Sequence, residues 1–506
     1  MGSTAETGTI LEKLFGSIET VADDKARMEL LTNLKLAMGT LSRAQLMEHM
    51  NNLNLEVLFG CLVSDNSEQI QSTCDILKNL MTVLDPVACL DKYHESITQG
   101  FSHDAPEVPA LIMSHLTRCI EVDESSLNKY PNLRVAVIGQ LASEELNAAK
   151  EADKLLMKYG TTKSGKDYFL SQEAVDTFNA LLNKKPSISE TKKFRVYEVL
   201  TNISTLSADH FNTLNTSVGL MNLLITLSFK SDDFLGQINA IEILANLAGC
   251  PHGQEALKTA GVFQEIKTLT ESLGTEPHGE ILLPGIIKFI GKVGAVSLPP
   301  TEMTALVMTT ILQSGINFPL KTVAVEAFAH IGGTVEGKQY YKNLPNIRKY
   351  FELIRELLSI APTESRTRGL EAMSFLFGSD EANEDCLPHW FNILFHDMSE
   401  LMDLVRLPFP EMRIAALNFL SSIAHLEWAQ RHYLKGAGVI EFLTSRNPEP
   451  VKECVYAKFR LVQIIVDSPS AAKILSAENM ALLKLYIHQG PFYAHAEATV
   501  ATAGAE

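Results

Sequence analysis

Long apolar runs are missing from this chain: none approaches the roughly 18 residues that a membrane-spanning helix needs, so no membrane span is expected. Basic charge is also scarce, with 43 Lys and Arg against 60 Asp and Glu and a formal charge of −17. Phosphate recognition needs Lys and Arg gathered on one face, so nucleic acid is not an expected partner. The densest basic clusters, Lys184–Lys185 and Lys192–Lys193, fall in the Pro-bearing stretch KKPSISETKK. They read as a solvated link between helices, with a split nuclear import signal as the alternative. The first thirty residues hold neither a basic stretch ahead of an apolar one nor a small-residue cleavage site behind it, which argues against secretion. Seven cysteines, Cys61, Cys74, Cys89, Cys119, Cys250, Cys386 and Cys454, include no pair spaced for zinc or for dithiol redox chemistry. That usage suits a reducing compartment in which thiols serve as small core residues. The cytoplasm is the expected location, with the nucleus second.

Catalytic signatures are equally sparse. There is no GxxxxGK[ST], no GxGxxG after a strand, no HExxH, no GxSxG and no DxDxDG loop. Cys386, His389 and His396, in CLPHWFNILFHD beside the acidic SDEANED, bring thiol and imidazole close together in the chain. A metal site needs three or four converging ligands with supporting contacts, and the proline with Trp390 and Phe391 marks a helix start instead. Nothing near Cys386 supplies an oxyanion donor or a third group to orient a base. Asn202 and Asn215 match N-x-S, a pattern without meaning in the cytosol. No enzyme activity, metal or cofactor is expected.

What the chain does have is repetition. In QINAIEILANLAGCPHGQEALKTAGVFQEIKTLTESL, residues 237–273, Ala240, Leu244, Leu247 and Ala248 share one helical face, and Leu257, Gly261 and Ile266 follow in order. With Leu244 as the phase marker, equivalents stand at Leu77, Met113, Leu156, Leu200, Ile290, Phe328, Met373, Leu420 and Leu461, in steps of 36 to 47 residues. Armadillo and HEAT units repeat about every 40 to 47 residues. The second half of the unit recurs as well. Counting six, ten and nineteen from Tyr159 gives Gly165, Phe169 and Phe178; from Leu247, Gly253, Leu257 and Ile266; from Ile423, Ala429, Tyr433 and Phe442. One such unit cannot bury its apolar stripe alone, so units must stack. The expected fold is all-α, an armadillo/HEAT-like α-solenoid of about ten helical repeats. It is expected to be a single solenoid over residues 11–493, with disordered ends at 1–10 and 494–506, where large apolar residues are few.

The same register yields a candidate binding face. Positions two before and two after each marker lie away from the core and four apart, hence stacked on one side of the helix. They read Asp75 and Asn79, Lys154 and Lys158, Glu198 and Asn202, Glu242 and Asn246, Lys288 and Lys292, Glu326 and His330, Glu371 and Phe375, Asn418 and Ser422. In armadillo units the helix of this pattern lines the concave groove. A polar exposed face is the plain reading of such a series. The glutamates interrupted by Lys288 and Lys292 suit instead a protein partner of alternating charge. At the end of the chain, MALLKLYIHQGPFY is expected to cap the stack: Met480, Leu483, Leu485, Tyr486 and Ile487 packing on the unit of Leu461, Gly490 and Pro491 ending the helix, and Phe492 and Tyr493 folding back as an aromatic plug.

Five segments, LLPGIIKFIGKVGAV (282–296), TVEGKQ (334–339), KFRVYEVLTNIS (193–204), PFPEMRIAALNFLSSIAHLEWAQ (408–430) and YIHQGPFY (486–493), resemble the proteasome base assembly chaperone family, that of the 26S proteasome non-ATPase regulatory subunit 5. The likeness covers nearly the whole chain in matching order and is weakest before about Leu141. It implies an armadillo/HEAT-like fold and a non-catalytic chaperone role in building the ATPase base of the regulatory particle. It also implies a partner, the C-terminal domain of one ATPase subunit held along the solenoid. No individual contact residue follows from it. The alternative is an armadillo-type adaptor for extended peptides, in nuclear transport or scaffolding, which would need a regular asparagine series. Asn79, Asn202 and Asn246 begin one that Lys292, His330 and Phe375 break, and the chain has only two tryptophans, Trp390 and Trp428.

Overall fold

All ten marker residues are buried, none more than 2% exposed, and each sits inside a helix. The computed structural model describes residues 4–50, 53–184, 187–273, 279–378, 384–436, 438–446 and 449–493, and these contain helices and turns but no strand. The all-α class and its helical-repeat architecture are thus as expected. The chain divides into two compact units, residues 1–230 and 231–506.

In the first unit the marker helices are α1 (Ser67–Val83), α2 (Glu107–Val122), α3 (Leu146–Thr161) and α4 (Glu190–Ser204), and each packs on the next. A helix at Thr4–Thr20 begins inside the stretch expected to be disordered, residues 1–10. The first three residues lie outside those described. In the second unit the series is α5 (Phe234–Ala248), α6 (Gly279–Gly294), α7 (Phe318–Gly333), α8 (Thr363–Gly378), α9 (Pro410–Ile423) and α10 (Lys452–Asp467), followed by the terminal helix α11 (Ala477–Gln489). Again each marker helix packs directly on its successor. Small residues allow the approach: a Cβ at Gly291 of α6 would lie 2.9 Å from the Ala327 Cα of α7, and one at Gly378 of α8 would lie 2.8 Å from the Ser422 Cβ of α9.

After α3, α5 and α7 the chain turns sharply into a short helix, and the recurring glycine explains how. A Cβ at Gly165, Gly253 or Gly337 would fall 1.9, 2.0 or 1.7 Å from the carbonyl oxygen of Tyr159, Leu247 or Ile331, six residues back. In two of these turns a threonine starts the new helix, Thr162 Oγ1 accepting from Gly165 N at 3.0 Å and Thr334 Oγ1 from Gly337 N at 3.1 Å. Such side-chain caps satisfy amide groups that the first helical turn leaves open.

A buried glutamine then ties one repeat to the next. Gln254 donates from Nε2 to the carbonyls of Ala248 (2.9 Å) and Val293 in α6 (2.8 Å), while its Oε1 accepts from Ser297 (2.8 Å). Gln430, ten residues past its own marker as Gln254 is, donates to the Ala424 carbonyl at 2.6 Å and to Ser468 Oγ at 2.8 Å, and accepts from Ser470 at 2.8 Å.

The end of the second unit is sealed differently from expectation. Leu483 and Tyr486 of α11 are buried, whereas Leu485 is 51% exposed, because residues 483 and 486 lie on the side turned to α10 and 485 does not. Gly490, at φ +82°, lets the backbone leave the helix in a conformation that L side chains avoid. Phe492 and Tyr493 remain 54% and 38% exposed, so they are not a buried plug. Phe492 sets its edge on Tyr456, ring centroids 5.2 Å apart. Arg446 fixes the turn by donating to the carbonyls of Gly490 (2.6 Å) and Tyr486 (3.0 Å). The tail 494–506, expected to be disordered, lies outside the described residues.

Candidate functional site

On α5 to α8 the ladder positions come side by side. Glu242 of α5 and Lys288 of α6, both two residues before their markers, pair at 2.6 Å with each side chain about two-fifths exposed. His330 of α7 and Phe375 of α8, both two after, meet edge to face with centroids 5.0 Å apart. Equivalent rungs of neighbouring repeats therefore touch, as the register requires. Lys292 and Glu371 are exposed and form no ion pair among the described residues. Asn246 is half-buried on the same face. Glu198 and Asn202 occupy the equivalent places on α4 of the first unit, the former exposed and the latter half-buried.

Two features alter the charge pattern read from sequence. Glu326 is held by both arms of Arg368, at 2.7 Å from Nε and 2.9 Å from Nη2, a bidentate geometry that fixes the carboxylate. Arg368 stands five residues before its marker, outside the positions considered, and its length carries it back to the rung. With Glu242 answered by Lys288, the acidic series of the second unit is largely neutralised within the protein. His330 is the other feature. Burial first, then the charge of Lys292, lowers its pKa, with Glu326 opposing, so the imidazole is neutral near pH 7 and offers a hydrogen bond rather than a charge. In the first unit, Asp75 pairs with Lys35 at 2.8 Å and Lys158 with Glu121 at 3.4 Å.

The remaining sequence candidates are accounted for by structure. Cys386 is buried and burial pushes its thiol up to about 11, while His389 and His396 are exposed. Trp390 stacks on Phe351 at 5.3 Å, the helix start anticipated from the proline. Residues 379–383 of the acidic stretch lie outside the described residues. Among the described residues no group of three or more His, Cys, Asp or Glu could hold a metal ion, and no helix is long and apolar enough to cross a membrane. Lys192 pairs with Glu144 and Lys193 with Glu190, while Lys185 is outside the described residues.

What the ladder can do chemically is present paired charges, amides and one exposed aromatic ring to another surface. Comparison with known proteins sets this in a family. A family model described as "Proteasome non-ATPase 26S subunit" matches residues 10–506. The 26S proteasome non-ATPase regulatory subunit 5 of Bos taurus is 28% identical over 494 residues, covering 95% of this chain and 97% of that protein. The human protein of the same name is 26% identical over 502 residues, covering 97% and 98%. Among solved structures, yeast importin-β (Kap95p) matches with a TM-score of 0.57 at 14% identity, over 95% of this chain and 56% of that one, a likeness of fold alone. Matched along almost its entire length, the chain belongs to the proteasome non-ATPase 26S subunit family.

Proposed function

We propose that the chain is a non-catalytic chaperone that binds an ATPase subunit of the 26S proteasome regulatory-particle base, through that subunit's C-terminal domain, while the base is assembled. The observation that carries this reading is the full-length kinship with proteasome non-ATPase regulatory subunit 5. The ladder supports it: a repeat stack offers an extended polar face in place of a pocket built for chemistry. Because Glu242 and Glu326 are already paired, the partner exchanges ion pairs with this face more than it adds new ones, an arrangement that favours selectivity over raw affinity. The residues proposed to meet the partner are, in the second unit, Glu242 and Asn246 on α5, Lys288 and Lys292 on α6, Glu326 and His330 on α7, and Glu371 on α8, and, in the first unit, Glu198 and Asn202 on α4. The cytoplasm is the proposed compartment.

Affinity capture of the full chain from cell extract, followed by crosslinking mass spectrometry, tests the reading. Base ATPases recovered without core-particle subunits, with crosslinks to Lys288 or Lys292, are the expected result. Recovery of import receptors without ATPases would overturn it in favour of the peptide adaptor.

A further inference from the structure

One cavity in residues 231–506, about 340 Å³ in volume, concentrates positive charge in a chain whose formal charge is −17. Arg413 enters from α9, Lys458 from α10 and Arg446 from the segment after the helix Val439–Thr444, with one carboxylate, Glu449, among them. Glu449 is committed to Arg413 at 2.9 Å. Arg446 and Lys458 have no carboxylate partner among the described residues. Neutral acceptors hold them instead: Arg446 grips the carbonyls of the terminal turn, and Lys458 Nζ donates to the Ser445 carbonyl at 2.8 Å. The Nε of Arg413 is buried and has no hydrogen-bond partner among the described residues. Burial, then the charge of Arg446, depresses the pKa of Lys458, with Glu449 opposing. Two like charges have thus been brought together at a cost that a bound anion would relieve.

Much of the remaining wall is aliphatic or aromatic. Leu417, Val455, Phe442 and Tyr486 line it, and the Arg446 guanidinium lies 3.9 Å from the Tyr486 ring centroid, so cation and aromatic surface are continuous. A bare inorganic anion would leave this apolar surface unfilled, and an uncharged ligand would leave the cations unanswered. We propose that the cavity binds a carboxylate carried on an apolar or aromatic body, of about the size of one large amino-acid residue. Apolar walls with a few convergent polar groups, in a volume of about 300 to 1,000 Å³, are the usual make-up of a ligand site. The carboxylate could belong to a free small acid or to the end of a polypeptide. The assignment stands apart from the ladder face and from the choice of partner there.

Calorimetric titration of the full chain tests it with five probes: 3-phenylpropionate, 3-phenylpropanamide, a tripeptide ending in phenylalanine as its free acid, the same peptide amidated, and inorganic phosphate. Each acid is expected to outbind its amide by about tenfold or more, the weight of a charge-assisted hydrogen bond in a sheltered site. Binding of the free-ended peptide as well assigns a chain end, and binding of the small acid alone assigns a small molecule. Lys458→Met should weaken the acid by a similar factor without affecting the amide. If that variant misfolds, the acid-to-amide ratio on the unaltered protein still decides. Equal binding of acid and amide, no binding of either acid, or phosphate competing on equal terms with 3-phenylpropionate would each overturn the proposal.

Discussion

At Gly337 there is no room for a single added carbon: the Ile331 carbonyl oxygen would stand 1.7 Å from it. Gly337→Ala is therefore expected to destabilise by about 1 to 3 kcal/mol, the usual cost of forced overpacking. Gly139→Ala, where nothing lies within 4 Å, should be neutral or slightly stabilising. Denaturant titration of the two variants compares them directly, and equal midpoints would contradict the close approach. The recurring glycine was legible in the sequence as a position six residues past Tyr159 and Leu247; its reason, a carbonyl pressed against Cα, needed coordinates. Arg368 was not legible, because the register marked only the positions two before and two after each marker and said nothing of a long side chain arriving from a turn away. That omission sharpens a second expectation. Glu242→Lys opposes an exposed Lys288 and should cost about 1 kcal/mol or less. Glu326→Lys sets a cation against the half-buried Arg368 and should cost more than its counterpart. Both reversals should weaken binding of a base ATPase. Unchanged affinity in a pull-down with both together would remove the ladder from the interface.

Elements were easier to read than the links between them. An apolar marker repeating every 36 to 47 residues located α1 to α10 because burial on one helical face imposes its period on the sequence. Gln254 and Gln430 escaped notice since a lone glutamine reads as surface; the available signal was its recurrence ten residues after two markers. The exposed Leu485 shows the limit of reading apolar content without phase. Buried polar groups also set a pH response, and α2 holds the clearest case. His115 is 2% exposed, and burial, then Arg118, lowers its pKa from 6.5 to about 4, with the Pro86 carbonyl opposing. The unfolded chain binds a proton there that the folded chain refuses. The stabilisation is thus complete above about pH 6.5 and is lost as pH falls toward 4, by an amount on the order of 3 kcal/mol. Unfolding of the first unit should follow that slope, and His115→Leu should flatten it. An unchanged slope in the variant would show that other groups govern the acid response.

For the molecule as a whole, the two compact units and the sealed end of the second decide which parts are expendable. Removing residues 482–506 would take Leu483 and Tyr486 from α10 and strip Arg446 of its carbonyl partners, so aggregation is expected in light scattering. Removing only 494–506 should leave folding unchanged. A soluble monomer ending at Ala481 would show that α11 is not a cap. The thiols, meanwhile, give the fold a clock of its own. Six of the seven cysteines are buried, and Cys250 alone is partly exposed; burial also pushes Cys74, Cys89 and Cys119 up to about 12, so few are thiolate at neutral pH. Cys61, Cys74, Cys89 and Cys119 belong to residues 1–230 and Cys250, Cys386 and Cys454 to residues 231–506. An alkylating reagent applied to the native protein should consume one thiol at once and the others only as their surroundings open. Peptide by peptide, the order of modification then records which unit breathes first, using only the cysteines the chain already carries.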